Sequence, residues 1–398
     1  MRGMNFLDFA CSFPSDKNIQ DMVAKASLYY DKHERILIAV SGGADSDRLV
    51  EIFARLDAEQ HKCHFVFFNT GLEYRATLRH LDYLEEKYGI EIIRYRNNNS
   101  IINTTRKKGV PFWSKKISSN INRLQLHGFQ WEDEPLDVLI KRYCKKVISE
   151  DEYSSLSEDG KKQFFYCDGK YYRGCVQSLR WWCNDFPSIK GKKSKFNIEY
   201  TPFLKEFMLK NPPDFLISDI CCTENKKNLS AEYVKAHDVD LIVTGVKKCE
   251  GGVRADAYQS CFSSPTTKHK ATYRPLWWLS QKQCDTLDDF CNISHSDCYL
   301  IYGLVRTGCV GCPFGKDFEF ELQLIQKHEP ELYPAVLSAF GKAYDYTRKY
   351  IIFREMTSSK TCKSCKNRNR AFDCPVLKYD ADNHCFEECP EYEESDEE

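Results

Sequence analysis

The residues best suited to chemistry are Ser41-Gly42-Gly43-Ala44-Asp45-Ser46, set between an apolar run and a helix-patterned stretch. Glycine admits backbone conformations closed to other residues and lets a ligand approach the main chain closely. Successive N–H groups can then converge on one anion, and the start of a helix adds its dipole. Ser41 and Ser46 add hydroxyls, and the hexapeptide lacks the lysine of a Walker loop. The pattern predicts a phosphate site. The plain alternative is an ordinary strand-to-helix turn.

Cysteine is the second chemical signal, with 20 in 398 residues. Cys309 and Cys312 form a Cys-x-x-Cys turn bounded by Gly308, Gly311 and Pro313, which lets two sulfurs face one metal. The vicinal pair Cys221-Cys222 lies 87 residues upstream of Cys309. Zinc accepts four thiolates, and a redox disulfide is the other reading. Near the end, Cys362-x-x-Cys365, Cys374 and Cys385-x-x-x-Cys389, with His384, suit a zinc ribbon or finger in a segment too short to build a core. Unpaired thiols or a redox role are the alternatives there. Cys167, Cys175 and Cys183 fall eight apart, which matches no defensible ligand spacing. Lone cysteines, Cys249 and Cys298 among them, read as ordinary buried residues.

The elements that must position these groups alternate. Ile36–Val40, Phe65–Phe68, Ile90–Tyr95 and Asp240–Thr244 read as buried strands. Helical spacing follows the first, with Leu49, Val50, Ile52, Phe53 and Leu56, and recurs over Arg75–Lys87. Another helix, capped at Ser230, should precede the last strand. Strands alternating with helices predict an α/β fold, a doubly wound parallel sheet, with an inserted region and a small cysteine-rich C-terminal segment. The boundaries expected are 1–130 and 200–315 for the nucleotide-binding domain and 131–199 for the insertion. A helical extension follows over 316–357, then a cysteine-rich segment over 358–390 and an acidic tail over 391–398.

Hydrophobic residues make up 42% and charged residues 29%, as in globular proteins with a real core. No run of about 18 apolar residues spans a membrane, and no secretory pattern is read at the start, so a cytoplasmic protein with no membrane partner is expected. A net charge of −1 gives no global pull toward nucleic acid. Two stretches are nonetheless basic: Arg106, Lys107, Lys108, Lys115 and Lys116 around Trp113, and Lys190, Lys192, Lys193 and Lys195. Such stretches are usually solvated faces, but Trp113 could stack a base.

Beyond the loop, further motifs occur in order. They are Asn69-Thr70-Gly71-Leu72-Glu73-Tyr74, Gly245-Val246-Lys247-Lys248-Cys249-Glu250-Gly251-Gly252-Val253-Arg254, and Tyr273-Arg274-Pro275-Leu276-Trp277-Trp278. Together with Ser41–Ser46, the set resembles the phosphoadenosine phosphosulfate reductase family of the PP-loop ATP pyrophosphatases. Two departures stand out. Asn69 replaces an aspartate, and Lys247 replaces an arginine, losing its two-pronged fork. The resemblance implies an adenine nucleotide alpha hydrolase-like fold. It implies ATP or a related adenine nucleotide, with Mg²⁺, bound by Ser41, Gly42, Gly43, Asp45, Ser46, Asn69, Thr70, Gly71, Lys115, Lys247 and Arg274. It implies catalytic parts for Asp45, Glu250 and Arg254. Lys226 and Lys227 resemble basic residues that follow the vicinal cysteines in the reductases.

The Cys221, Cys222, Cys309 and Cys312 set resembles the pattern that holds a [4Fe-4S] cluster in adenylyl-sulfate reductases, with Cys261 a possible substitute. The reductases end in a Glu-Cys-Gly-x-His segment whose thiolate attacks sulfur. Glu388-Cys389-Pro390 is the nearest approach here. The resemblance therefore points to the sulfur-transfer branch, an ATP-dependent adenylating sulfurtransferase acting on tRNA or DNA with a sulfur donor or thiol reductant. Two alternatives remain: a sulfonucleotide reductase using an external thiol, and a non-catalytic nucleotide-binding or DNA-associated module. The tail pairs Cys362, Cys365, Cys385 and Cys389 are the zinc candidates.

Overall fold

The computed structural model describes residues 6–358, apart from 97–99, 145–148, 162–163, 167–169, 189–190, 251–257, 268 and 316. The chain divides into two compact units. Of the described residues, those within 6–104, 222–312 and 317–338 form the first, and those within 105–221, 313–315 and 339–358 the second.

The first unit is built on a six-stranded sheet. Its strands are β1 (Ile36–Val40), β2 (Cys63–Phe68), β3 (Ile92–Tyr95), β4 (Leu241–Val243), β5 (Phe262–Ser263) and β6 (Ala271–Tyr273), in the order β3-β2-β1-β4-β6-β5. The β1 run Ile-Leu-Ile-Ala-Val is apolar at every position because both of its faces are covered. Ile36, Ile38 and Val40 pack with helices Lys17–Lys32, Ala44–Leu56 and Arg75–Tyr88. Leu37 packs the other way, with Tyr233 and Val234 of helix Leu229–Ala236. Pairing is parallel throughout except at β5, which runs antiparallel to β6. The link between those two strands, 264–270, is too short for a crossover, so the expected parallel sheet ends in a hairpin edge.

One expected cap is corrected. Ser230 lies inside a helix rather than at its start. Chain from Ile220 is already helical, with a π turn over Thr223–Asn228 leading directly into Leu229–Ala236. With Asn228 in helical conformation, there is no open N-terminus for Ser230 to cap.

The second unit is helical with an aromatic core. Ile117, Ile121 and Leu124 of helix Lys115–Leu126 pack with Leu179 and Trp182 of helix Arg173–Trp182 and with Phe207 of helix Leu204–Lys210. Tyr346 and Tyr350 of helix Tyr333–Ser358 join them. Residues within 131–199 and on both sides of it thus share one core. Among the described residues, no helix is long and apolar enough to cross a membrane.

Candidate nucleotide site

In a parallel sheet, ligands bind outside the carboxyl ends of the strands. Four expected site segments lie there: Ser41–Ser46 after β1, Asn69–Gly71 after β2, Gly245–Lys247 after β4 and Arg274 after β6.

The loop after β1 is shaped by its glycines and by Ser46. Gly42 has φ +67°, and a Cβ there would fall 2.5 Å from Thr77 Cγ2. Gly43 is the N-cap of helix Ala44–Leu56. Ser46 Oγ donates to Gly43 O at 2.7 Å and accepts from Gly43 N at 3.1 Å, while Ser41 Oγ lies 3.3 Å away. The Ser46 hydroxyl therefore holds the loop in form. The backbone donors face another oxygen: Tyr299 Oη accepts from Ala44 N at 3.4 Å and Thr307 N at 3.3 Å, and lies 3.2 Å from Thr307 Oγ1. A Cβ on Gly43 would meet both residues, at 2.9 Å from Thr307 Oγ1 and 3.0 Å from Tyr299 Oη. Sequence reasoning missed Tyr299 and Thr307, because no motif links them to a loop about 255 residues earlier.

Beneath the loop lies a balanced charge cluster. Asp45 Oδ1 pairs with Lys247 Nζ at 2.8 Å and Arg48 Nη1 at 2.6 Å. Lys247 also donates to Gln281. Arg48 reaches Asp288 through Nε and Nη2. His295 bridges Asp47 Oδ2 at 2.8 Å and Asp288 Oδ2 at 3.1 Å. Burial pulls the His295 pKa down, but hydrogen bonds to Asp288 and Asp47, together with their charges, outweigh it and lift the value to about 9. Three carboxylates thus face three cations: Arg48, Lys247 and protonated His295. Lys247 and Asp45 are matched to one another, so any anion bound here would be attracted by the amides at the helix start. Gly245 permits this closeness, since a Cβ there would sit 2.9 Å from Asp45 Cβ.

The turn after β2 forms a second group. Asn69 Oδ1 accepts from Gly71 N at 2.8 Å, and Glu73 Oε1 accepts from Thr70 N and Oγ1 at 3.1 and 2.6 Å. The Cys309–Cys312 turn docks here: Val310 N donates to Leu72 O, and Gly311 N to Glu321. Lys226 is raised, since the charges of Cys309 and Glu73 outweigh the opposing effect of burial. Burial raises the Cys309 thiol despite Lys226.

Of the expected cluster ligands, Cys222 and Cys309 fall within electrostatic reach of each other. Cys221 belongs to the second unit. Cys261 packs instead on the sheet core beside Tyr29 and Tyr273. No three Cys, His, Asp or Glu side chains are grouped to hold a metal among the described residues, so no assembled four-thiolate set is present there.

Arg274 is buried, stacks on Tyr258 with Cζ 3.7 Å from the ring centre, and donates to Ser263 Oγ at 3.0 Å. Lys115 is an exposed residue of the second unit. Glu250 ends a short 3-10 turn, Lys248–Glu250. Arg254 and the tail residues Cys362, Cys365, Cys374, His384, Cys385 and Cys389 lie outside the described residues, as does Cys167. Cys175 is buried against Cys144, whose thiol is raised by a hydrogen bond to it.

Residues 35–127 match the phosphoadenosine phosphosulfate reductase domain. Through this stretch, under a quarter of its length, the chain is similar to that family. The match takes in Ser41–Ser46, Asn69–Tyr74 and Lys115, and ends before the later motifs and the cysteine pairs. An uncharacterized protein of Methanocaldococcus jannaschii is 36% identical over 112 residues, 28% of this chain and 23% of that protein, so the similarity spans under a quarter of the relative's length. A phosphoadenylyl-sulfate reductase from Candida auris, solved as a phosphate complex, overlaps 74% of this chain and 96% of its own at 10% identity and a TM-score of 0.36.

Proposed function

We propose that this PP-loop protein binds ATP at Ser41–Ser46 and adenylates an acceptor, preparing it for sulfur transfer. An acceptor oxygen would attack the α-phosphorus, the α–β P–O bond would break, and pyrophosphate would leave. A sulfur nucleophile would then displace AMP from the activated carbon. The supporting observation is the convergence of the Ala44 and Thr307 amides on one hydroxyl oxygen at a glycine-shaped helix start. Donors arranged in this way suit a phosphate oxygen. Asp45 is already committed to Lys247 and Arg48, so its part would be to fix the loop rather than to hold Mg²⁺.

Pyrophosphate release from ATP, screened against tRNA and DNA, tests the reading. Release that depends on one acceptor and disappears on altering the loop supports it. ATP binding without turnover against any acceptor rejects it in favour of a nucleotide-binding module.

A second reading is a sulfonucleotide reductase using an external thiol, favoured by Lys226 beside Cys309 and the 69–74 turn, where a cation could meet a sulfate. Sulfite release from adenylyl sulfate would favour it. Iron–sulfur dependence is a separate matter, and no step above passes through a cluster. Iron content and absorbance near 400 nm of anaerobically prepared protein, at about four irons per chain, decide it.

A further inference from the structure

The two basic stretches, about 79 residues apart in sequence, meet on one face of the second unit. Lys116 Nζ donates to the carbonyl of Lys195. It also sits 4.3 Å from the centre of the Phe196 ring, which Lys195 Nζ approaches from 5.9 Å. Phe196 is 49% exposed, and Lys192 and Lys193 near it in sequence and Lys115 next to Lys116 are exposed too. Partial desolvation, and then the Lys195 charge, pushes the Lys116 pKa down, although the residue as a whole is exposed. Phe186 packs 5.8 Å from Phe196 and carries the Arg180 guanidinium at 4.4 Å. Two acids border the patch: Glu199 pairs with Lys193, and Asp185 with Arg180.

Trp113, which the sequence suggested as the stacking platform, turns inward. Its ring meets Tyr350 edge-on at 4.9 Å and lies under Arg354. The exposed ring on the basic face is Phe196 instead.

We infer that this face binds an unpaired nucleic-acid strand, with phosphates on Lys115, Lys116, Lys192 and Lys195 and a base on Phe196. A solvated lysine face gains by spreading its charges, whereas here two ammonium groups are gathered on one exposed ring. That pairing of cations and an open aromatic surface is what a single strand needs, because every base presents a π face and every linkage a charge. The inference deepens the acceptor part of the proposed function and rests on it for its meaning. The binding itself is measured without nucleotide.

The test uses the full chain and a fluorescent 20-nucleotide oligouridine, titrated without ATP over a salt series. K116E/K195E should weaken binding at least tenfold and flatten the log–log salt slope by about 1.4, at about 0.7 for each phosphate no longer neutralised. F196A should weaken it about tenfold while leaving the salt slope unchanged, because stacking releases no counterions. K141E, an exposed lysine on another helix of the same unit, should change little. Circular dichroism melts confirm that each variant is folded. The inference is overturned if the wild type ignores oligouridine at low salt. Equal binding of polyglutamate or a duplex of the same length, or an effect of K141E equal to that of K116E/K195E, would also overturn it. If strand binding fails while ATP-dependent pyrophosphate release persists, this face is wrong and the nucleotide reading stands. The reverse outcome separates them the other way.

Discussion

His295 shows how a single residue can tie a site to pH. Its ordinary pKa of 6.5 is lifted to about 9 between Asp47 and Asp288. A raised value means that its stabilisation is complete below about pH 6.5 and is lost as pH climbs through about 9. The shift corresponds to at most about 3 kcal/mol. The melting temperature should therefore fall between pH 7 and 10 in the wild type and fall less in H295Q. Parallel melting curves for the two proteins would refute the assignment. The same scale explains Asn69. An aspartate could also cap the turn, but asparagine forms the 2.8 Å bond to Gly71 N without adding a second anion near Glu73.

At the scale of elements, the two loop glycines should respond differently. G42A forces an L-residue to φ +67° and onto Thr77, so it should cost about 2 kcal/mol of stability. G43A needs no unusual φ, but it pushes on Tyr299 and Thr307. It should weaken ATP binding about tenfold or more while lowering stability less than G42A. Urea melts and ATP titrations on both variants check the contrast.

This loop was legible because an unbroken apolar strand followed by Gly-Gly has few other meanings. The strands around it were legible for the same reason. Ser230 misled because Thr223–Asn228 carries no apolar stripe, so the helix running through it left no periodic trace. The β5 edge strand is two residues long, too short for any pattern. The second unit stayed obscure because its core is assembled from aromatic residues in short helices and turns, such as Phe129, Trp131 and Trp182, brought together only by folding.

At the scale of the molecule, each unit keeps its own core. Four of the six tryptophans, Trp113, Trp131, Trp181 and Trp182, belong to the second unit. Intrinsic fluorescence therefore reports mainly on that unit. F207A, which removes a fully buried ring from its core, should shift the fluorescence transition by about 3–5 kcal/mol. A loss below about 1 kcal/mol would mean that the ring is not central to this core. If ATP binds as proposed, a concentration a hundred times its dissociation constant should stabilise the first unit by about 2.7 kcal/mol. Hydrogen exchange in helix Ala44–Leu56 is the matching measurement. The family match, by contrast, reaches only residue 127, so the proposed strand-binding role rests on residues such as Lys116 and Phe196 themselves.

The Tyr299 hydroxyl, accepting from Ala44 N of the loop and from Thr307 N, would make the chain its own competitor for an anion at this loop. Any incoming anion must displace a group tethered in place, whose effective concentration never falls by dilution. The two bonds are long, at 3.3 and 3.4 Å, so a charged oxygen making shorter bonds can evict it. A weakly held ion such as inorganic phosphate gains little from the exchange, while a ligand anchored by further contacts gains more. Y299F should therefore bind inorganic phosphate several-fold more tightly than the wild type, and the loop's selectivity would prove to lie in what it already holds.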